Sequence, residues 1–168
     1  MRAPLISTIL LLMLATPAQT GPADDCNQVK DLHRQLRGCT AYIMSGKVEP
    51  QNLATAYLNR ANIYAQRRQY ARAFPDYDAA WQLDPSNPLI PYNQGNAYLD
   101  GHRYGDAAEA FTRAIELAPT FALGYLNRGV AREALGDAAG AAEDYQHTLE
   151  LEPGATAARL RLKGLRKR

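Results

Sequence analysis

The sequence of 168 residues has few side chains for metal binding or redox chemistry, because it contains two cysteines and three histidines. Its formal net charge is only +2, which excludes a protein built mainly to bind polyanions. No uninterrupted apolar run reaches the roughly 18–20 residues that a membrane-spanning helix needs. With 46% hydrophobic and 21% charged residues, the composition is that of one ordinary folded domain and excludes a disordered chain.

The small net charge hides an uneven distribution of basic residues. The last ten residues contain six basic side chains and no acidic one: Arg159, Arg161, Lys163, Arg166, Lys167 and Arg168. The rest of the chain is therefore mildly acidic. The basic tail is consistent either with a solvated capping helix or with contact to an anionic membrane surface or an acidic partner. We expect no nucleic acid partner, because the body is acidic and the tail contains no aromatic residue.

Residues 1–18 have the three-part layout of a secretory signal peptide. A positive start precedes the apolar run Leu5–Ala15, and small residues follow it. We predict cleavage after Ala18, with Ala23 as the second choice, and a short linker over residues 19–23. A buried N-terminal helix is the alternative. A lipid anchor does not fit, because the first cysteine lies eleven residues beyond the apolar run.

Export to an oxidising compartment changes the expected state of the two cysteines. An even pair behind a signal peptide favours a disulfide between Cys26 and Cys39. Two buried free thiols are the alternative, followed by one reactive thiol. The pair lacks the C-x-x-C spacing of redox catalysts, and without clustered histidines it makes a poor zinc site.

The body of the chain repeats itself with a period of 34 residues. Four kinds of side chain keep this step through three consecutive units. They are a first small residue at Ala61, Gly95 and Gly129, a second at Ala73, Ala107 and Ala141, an aromatic at Tyr77, Phe111 and Tyr145, and a proline at Pro85, Pro119 and Pro153. The units are residues 54–87, 88–121 and 122–155.

Each unit is expected to be a pair of helices. The small residues let the two helices approach closely, the aromatic fills the space beside their contact, and the proline ends the second helix. Gly101 and Gly136 are expected at the turns of the second and third units. Pro75 is expected near the start of its helix, where a missing N–H costs little. No segment alternates with a period of two, so we predict an all-α fold of about eight to nine helices.

The 34-residue period with its small residues, aromatics and closing proline resembles the tetratricopeptide repeat family. The resemblance covers residues 54–155 and implies a helical-hairpin solenoid, a right-handed superhelix of about three full repeats. The combination of a tyrosine-Asn-Arg-Gly motif in the repeats with a cysteine pair ahead of them also resembles exported bacterial members of the family. The expected location is therefore a bacterial periplasm first and the extracellular space second.

The segments on either side of the repeats are predicted to be caps, because the ends of a solenoid lack one neighbour. Residues 24–46 are expected to form a degenerate repeat of two helices that the disulfide joins, and residues 47–53 a linker. Residues 156–168 are expected to form a basic capping helix and tail. The residues expected to cover the last repeat are Ala157, Leu160 and Leu165.

The resemblance implies that the first helix of each repeat lines a concave groove, where members of the family bind extended peptides or helices. The residues carried over to this partner groove are Leu58, Asn62, Gln66, Tyr92, Asn96, Leu99, Leu126 and Val130. The asparagines would hold a peptide backbone, since an amide offers both a donor and an acceptor; alternatively, they bond within the array. Tyr92 and Asn96, one helical turn apart, are predicted to contribute most to binding, unless Tyr92 packs on the neighbouring unit.

One familiar function of the family is not expected here. Relatives that clamp the C-terminal carboxylate of a chaperone use basic groups on the concave surface. The corresponding places in this chain hold Leu58, Leu126 and Val130. Export would also separate the chain from cytosolic chaperones, so we do not expect an acidic-tail clamp.

Nothing in the sequence assembles a nucleophile with a base, because His33, His102 and His147 lie in separate units. Carboxylates such as Asp76 and Asp144 are expected on solvated helix faces. We therefore predict a non-catalytic adaptor without a cofactor or a metal, which is exported and binds a protein or peptide in its groove. The alternatives are a peripheral envelope component, held by its tail to an anionic membrane or an acidic partner, and a small-molecule carrier with an apolar groove.

Overall fold

A computed structural model describes residues 21–28, 30–46 and 48–165 of the chain. The predicted signal peptide and the last three residues, with three of the six tail cations, lie outside the described residues. Every regular element of the described part is an α-helix, which confirms the predicted all-α fold. In chain order the nine helices of this part are α1 (Pro22–Asn27), α2 (Leu32–Met44), α3 (Pro50–Gln66), α4 (Tyr70–Leu83), α5 (Leu89–Asp100), α6 (Tyr104–Leu117), α7 (Ala122–Ala134), α8 (Ala138–Leu151) and α9 (Thr156–Leu165).

Three helical hairpins follow one another, and each corresponds to one predicted repeat. α3 packs on α4, α5 on α6 and α7 on α8. The first hairpin begins earlier than the sequence suggests, because α3 starts at Pro50. The first residue of a helix has no intrahelical partner for its N–H, so a proline there costs no hydrogen bond. Residues 50–53 therefore belong to α3, and the predicted linker is shorter.

A close approach of the two helices explains why one place in each hairpin holds a small residue. A Cβ atom added to Gly95 would lie 2.7 Å from the ring of Phe111, and one added to Gly129 would lie 2.6 Å from the ring of Tyr145. Both rings are fully buried. The aromatic of the second helix thus occupies the space that a side chain on the first helix would need, as the sequence pattern predicts.

The turn inside each hairpin contains one residue with a positive φ, and these residues are again 34 apart. They are Arg68 at 55°, His102 at 59° and Gly136 at 85°. Gly136 lies at its predicted turn, but in the second hairpin the left-handed residue is His102 rather than Gly101, whose φ is −83°. Glycine enters this region without a steric cost and other residues do not. The first two turns are therefore strained, and the third is not.

Pro75 lies deeper in its helix than the sequence predicts. α4 begins at Tyr70, so Pro75 is an interior residue of the helix rather than part of its first turn. A proline at this place cannot donate the hydrogen bond that would reach back to the carbonyl of Ala71. Ala71 is exposed, which lets water serve that carbonyl instead.

Two of the hairpins contain a buried ion pair between their helices. Arg60 donates two hydrogen bonds of 2.7 Å to Asp76, and these bonds raise the pKa of Arg60. Arg128 donates to both carboxylate oxygens of Asp144. Asp76 and Asp144 are only 6% and 2% exposed. The prediction that these carboxylates lie on solvated faces is wrong, because each of them faces an arginine of the paired helix.

The N-terminal cap is a helix pair with the predicted cysteine pairing. The sulfur atoms of Cys26 in α1 and Cys39 in α2 lie 2.09 Å apart in a disulfide, and both residues are buried. Gly38 lets α1 approach α2, since a Cβ atom there would lie 2.5 Å from the Cβ atom of Asp25. The carbonyl of Cys26 accepts a hydrogen bond of 3.2 Å from the amide of Asn59 in α3. The cap is therefore tied to the first repeat.

The C-terminal cap is α9, which packs on α8. Its buried residues are Ala158 and Leu162, and Leu165 packs beside them. The predicted contacts of Ala157 and Leu160 are wrong, because Ala157 is exposed and Leu160 is 64% exposed. The apolar stripe of α9 advances by four and then three residues, and this spacing turns the other two side chains away from α8.

Candidate functional site

The first helices of the three hairpins, α3, α5 and α7, form one surface, which we call the groove. A polar pocket of about 270 Å³ lies in it between α3 and α5. Its lining residues are Asn62, Ala65, Gln66, Asn93, Asn96, Ala97 and Asp100. We call it the amide pocket, because four side-chain amides line it. Three of the predicted groove residues, Asn62, Gln66 and Asn96, therefore meet in one place.

The amide groups of the pocket differ in how far the array already uses them. The Asn127 amide donates to Oδ1 of Asn96 over 2.9 Å, and the Tyr77 hydroxyl donates to Oδ1 of Asn62 over 2.8 Å. Each of these two amide oxygens thus accepts one bond within the array, and the NH2 groups of Asn62 and Asn96 have no bond to a described residue. The bonds within the array agree with one of the two sequence alternatives, and the binding of a peptide backbone stays a prediction.

Asn93 is a pocket residue that the sequence analysis missed. It is half-buried, and its amide forms no hydrogen bond within the described ranges. A signal was present, because Asn59, Asn93 and Asn127 keep the 34-residue step. The two outer asparagines each donate to a helix of the preceding unit. Asn93 makes no such bond to a described residue, and the oxygen of Asn62 accepts from Tyr77 of its own repeat.

Three of the predicted groove residues pack mainly in the hydrophobic core: Tyr92, Leu58 and Leu126. The ring of Tyr92 packs against Phe111 and Phe121 of its own unit, with centroid distances of 5.8 and 4.8 Å. Its hydroxyl accepts a hydrogen bond of 3.3 Å from Asn127 of the next unit. Leu58 is 8% exposed and belongs to the core of the first hairpin. Its place one turn before the small residue that contacts α4 turns it inward, and its assignment to the groove is wrong. Leu126 likewise packs on the core of the third hairpin.

A second pocket of about 460 Å³ opens beside the amide pocket and holds the remaining predicted groove residues, Leu99 and Val130. Its charged and polar lining residues are Arg68, Asp100, His102, Tyr104, Glu133 and Arg161. Arg161 pairs with Glu133 over 3.1 Å. Because cations and carboxylates are mixed here, this pocket does not select a ligand by the sign of its charge.

The basic tail offers less outward charge than the sequence suggests. Arg161 pairs with Glu133 of α7, and Arg159 donates to the carbonyl of Pro153. Lys163 is exposed. The prediction that Arg161 contacts an anionic surface does not hold, since its guanidinium turns toward α7. Among the described helices, none has both the length and the apolar character needed to cross a membrane.

Burial changes the acidity of the tyrosines at the centre of the first and third hairpins. It raises the pKa of Tyr77, and together with the hydrogen bond to Glu133 it raises the pKa of Tyr145. Both hydroxyls therefore stay protonated and donate, Tyr77 to Asn62 and Tyr145 to Glu133 over 2.9 Å. The middle hairpin has Phe111, which lacks a hydroxyl, at the corresponding place.

The histidines have ordinary surface partners. His147 lies against the ring of Tyr125, and its Nδ1 atom lies 3.1 Å from Glu150. His102 lies 2.9 Å from the hydroxyl of Tyr104. No group of three His, Cys, Asp or Glu side chains suited to a metal ion occurs in the part of the chain that the structure describes. The amide pocket is also lined mainly by polar side chains rather than by the apolar side chains that a carrier of apolar molecules would need.

Two tetratricopeptide repeat family models match the chain, one at residues 54–87 and the other at residues 92–160. The second TPR domain of human RPAP3, solved in complex with the HSP70 peptide SGPTIEEVD, is 32% identical in sequence. The match covers 71% of this chain and 100% of that domain, with a TM-score of 0.68. The chain belongs to the tetratricopeptide repeat family.

Further relatives place the similarity within the same group of tetratricopeptide proteins. The first TPR domain of Spaghetti (RPAP3), bound to the HSP90 peptide SRMEEVD, is 29% identical, with a TM-score of 0.67 and coverage of 70% of this chain and 93% of that one. RNA polymerase II-associated protein 3 of Mus musculus is 32% identical over 94 residues, which are 56% of this chain. The chain spans only 14% of the length of this curated relative.

One further likeness is limited to the fold. MamA has a TM-score of 0.74 and covers 86% of each chain, but at 22% identity it shows a shared tetratricopeptide architecture alone. The curated relatives that match come from mouse, frog, rat and human. They give no support to the narrower resemblance to exported bacterial members of the family.

Proposed function

We propose that the chain is a non-catalytic adaptor that holds an extended segment of a partner protein against the amide pocket. One observation carries the proposal: the donor and acceptor of Asn93, and the NH2 groups of Asn62 and Asn96 beside it, form no hydrogen bond with any described residue. An extended segment needs such groups, because most of its residues present one N–H and one carbonyl. The RPAP3 domains solved with bound peptides support the proposal.

The chemistry of the amide pocket favours a segment without acidic residues. None of the lining residues is a cation, and the exposed Asp100 adds a negative charge. The peptides of the two RPAP3 complexes, SRMEEVD and SGPTIEEVD, each end in several carboxylates. Carboxylates placed near Asp100 would be repelled. We therefore propose that the partner of this chain carries neutral or basic side chains where those peptides are acidic.

Peptide selection followed by affinity measurement tests this function. Random decapeptides displayed on phage are selected on the parent chain, and fluorescence anisotropy then measures their affinity for the parent, for Asn93→Ala and for Asn62→Ala. We expect the selected sequences to be poor in Asp and Glu. Each variant should bind about fivefold more weakly, as the loss of one hydrogen bond of about 1 kcal/mol implies.

Asn52→Ala is the matched control, because Asn52 is an exposed asparagine of α3 outside the pocket. It should bind like the parent, and thermal unfolding should show that all three variants are folded. SRMEEVD should bind more weakly than an amidated analogue with Gln and Asn in place of its acids. Equal affinity of the parent and both pocket variants contradicts the function, and so does a selection dominated by acidic tails.

We also propose that the chain is exported, in first place to a bacterial periplasm and in second place to the extracellular space. The support is the layout of residues 1–18 and the buried disulfide of the N-terminal cap, since such bonds persist in oxidising compartments. Mass spectrometry of the protein from a periplasmic extract and from the culture medium of producing cells should find a new N-terminus at Gln19. A protein that stays inside the cell with Met1 intact would exclude export.

A further inference from the structure

A cationic surface lies on α2 and around the turn between α3 and α4. Residues 50–75 contain no acidic side chain. Three arginines of this stretch, Arg67, Arg68 and Arg72, and also Arg37 of α2, form no ion pair with any described carboxylate. The sequence analysis placed the candidate anion-binding surface on the C-terminal tail, whereas the structure gathers these arginines near the first repeat.

An apolar pocket of about 420 Å³ opens within this surface, between α2 and the first hairpin. Leu36, Met44 and Tyr64 contribute apolar walls, and Met44 is 78% exposed. Arg37 of α2 and Arg72 of α4 also line the pocket. The guanidinium of Arg72 lies 4.6 Å from the centroid of the Tyr64 ring, a contact that holds its charge at the pocket wall.

No acidic side chain lines this pocket. The one acid at the start of α2 is Asp31, whose carboxylate accepts hydrogen bonds of 2.9 and 3.0 Å from the backbone N–H groups of His33 and Arg34. Those bonds keep it at the N-terminus of the helix, where it caps α2. The backbone hydrogen bond from Arg34 lowers the pKa of the Asp31 carboxylate, and the charge of Arg37 also reaches it and helps to lower that pKa, without an ion pair between them. The pocket therefore combines an exposed apolar wall with two cations that form no ion pair with a described carboxylate.

We propose that this pocket is a second docking site, separate from the groove, and that it takes a short acidic segment of a partner protein with one aliphatic or aromatic anchor residue. The anchor lies against Leu36, Met44 and Tyr64, and carboxylates on either side of it meet Arg37 and Arg72. Charge complementarity selects this occupant. A flat anionic membrane would meet the arginines but would leave the pocket unfilled.

The test uses the full chain and one probe, the acetylated and amidated peptide Glu-Asp-Leu-Phe-Asp-Glu. Isothermal titration calorimetry compares the parent with the double variant Arg37→Gln/Arg72→Gln. We expect roughly tenfold weaker binding to the double variant, the combined effect of two exposed charge-assisted contacts. Binding to the parent should also weaken as the salt concentration rises. Met44→Glu, a change at an exposed residue, should weaken binding without unfolding the chain.

Arg159→Gln/Lys163→Gln is the matched control, since it removes the same charge from α9, and it should bind the probe like the parent. Asn93→Ala should also bind normally, because the site lies outside the groove. Absence of binding to the parent, an equal loss in the α9 control, or a loss in Asn93→Ala overturns the proposal. Vesicles containing phosphatidylglycerol form a further arm: if Arg37→Gln/Arg72→Gln loses vesicle binding but keeps the probe peptide, the surface contacts membranes and the proposal is wrong.

Discussion

The middle repeat is built differently from the two outer repeats, although all three keep the same small residues and closing proline. Each outer repeat joins its helices by a buried arginine–aspartate pair, whereas the middle repeat has Gln94 and Ala110 at the corresponding places. Gln94 instead donates to Asp78 of the preceding repeat over 3.0 Å and accepts from Arg113 of its own repeat. In each outer repeat an ion pair joins the two helices. In the middle repeat apolar packing joins the two helices, and Gln94 adds a hydrogen bond to the preceding repeat.

The amide bonds of the groove differ between the repeats in the same way. The oxygen of Asn62 accepts from Tyr77 of its own repeat. Phe111 of the middle repeat has no hydroxyl, and the oxygen of Asn96 accepts from Asn127 of the third repeat. The amide pocket lies between the first and the middle repeat, where these two arrangements meet.

Loss of a buried ion pair should have the largest effect on the outer repeats. In Asp144→Ala, Arg128 and Arg132 both lose the carboxylate that they contact. We expect the free energy of unfolding to fall by about 3 kcal/mol, because a buried arginine is left without its counter-charge. Urea denaturation measures the change. Glu109→Ala, at an exposed acid of the middle repeat, should change stability by less than about 0.5 kcal/mol; equal costs would mean that the charge pair does not hold the outer repeat.

Alkaline pH should destabilise the chain through the central tyrosines of the outer repeats. The pKa values of Tyr77 and Tyr145 are raised in the folded chain, so the unfolded chain loses these protons first as pH rises. Their stabilisation is complete below about pH 10 and falls above it by up to about 1.4 kcal/mol per pH unit for each group. Denaturation curves between neutral and alkaline pH should show a shallower fall in Tyr77→Phe/Tyr145→Phe, which resembles the middle repeat. Parallel curves for parent and variant would exclude this role; Tyr98, whose pKa burial also raises, contributes equally to both.

A double-mutant cycle sharpens the comparison of the central aromatic residues. Truncation of Asn96 and Asn127, singly and together, should show a coupling of about 1 kcal/mol in the parent. In a Phe111→Tyr background the new hydroxyl should bond Asn96 as Tyr77 bonds Asn62, and sharing of the Asn96 oxygen between two donors should reduce the coupling. Urea denaturation of the eight variants gives both couplings. A Phe111→Leu background adds no hydroxyl and should preserve the coupling; a reduced coupling there as well would show that ring packing is responsible.

Substitutions at the turns should give the smallest difference in the free energy of unfolding between the repeats. His102→Gly should raise the free energy of unfolding by about 0.5 kcal/mol, because the steric cost of a left-handed residue is relieved and the greater freedom of glycine in the unfolded chain offsets part of the gain. The reverse change in the third repeat, Gly136→Ala, should lower it by about 1 kcal/mol. Thermal unfolding compares both variants with the parent. A destabilised His102→Gly would show that the contact of His102 with Tyr104 outweighs the backbone strain.

The fold could be predicted because its cause is periodic: a small residue opposite an aromatic every 34 residues leaves one way to pair the helices. The pocket was predicted only in part. Asn62, Gln66 and Asn96 follow from the repeat register, and Asn93 could have been found from the same register. The absence of a bond from Asn93 to any described residue could not, since it depends on which side chains of the neighbouring helices meet it. Such a contact is decided by side-chain packing, which no periodicity records.

The connectivity of the helices has a consequence for how the chain assembles. The main helix contacts of the described part join only neighbours or next neighbours in chain order, and the disulfide spans a sequence separation of 13 residues. The two ends of a loop this short come into contact in well under a microsecond. During synthesis the N-terminal part of the chain is made first. The two ends of the α1–α2 loop can therefore meet without help from later helices, whereas the disulfide itself forms more slowly, once the chain is in an oxidising compartment. Each hairpin packs mainly on its neighbours in the chain, so that a folded unit offers a surface to the unit beside it.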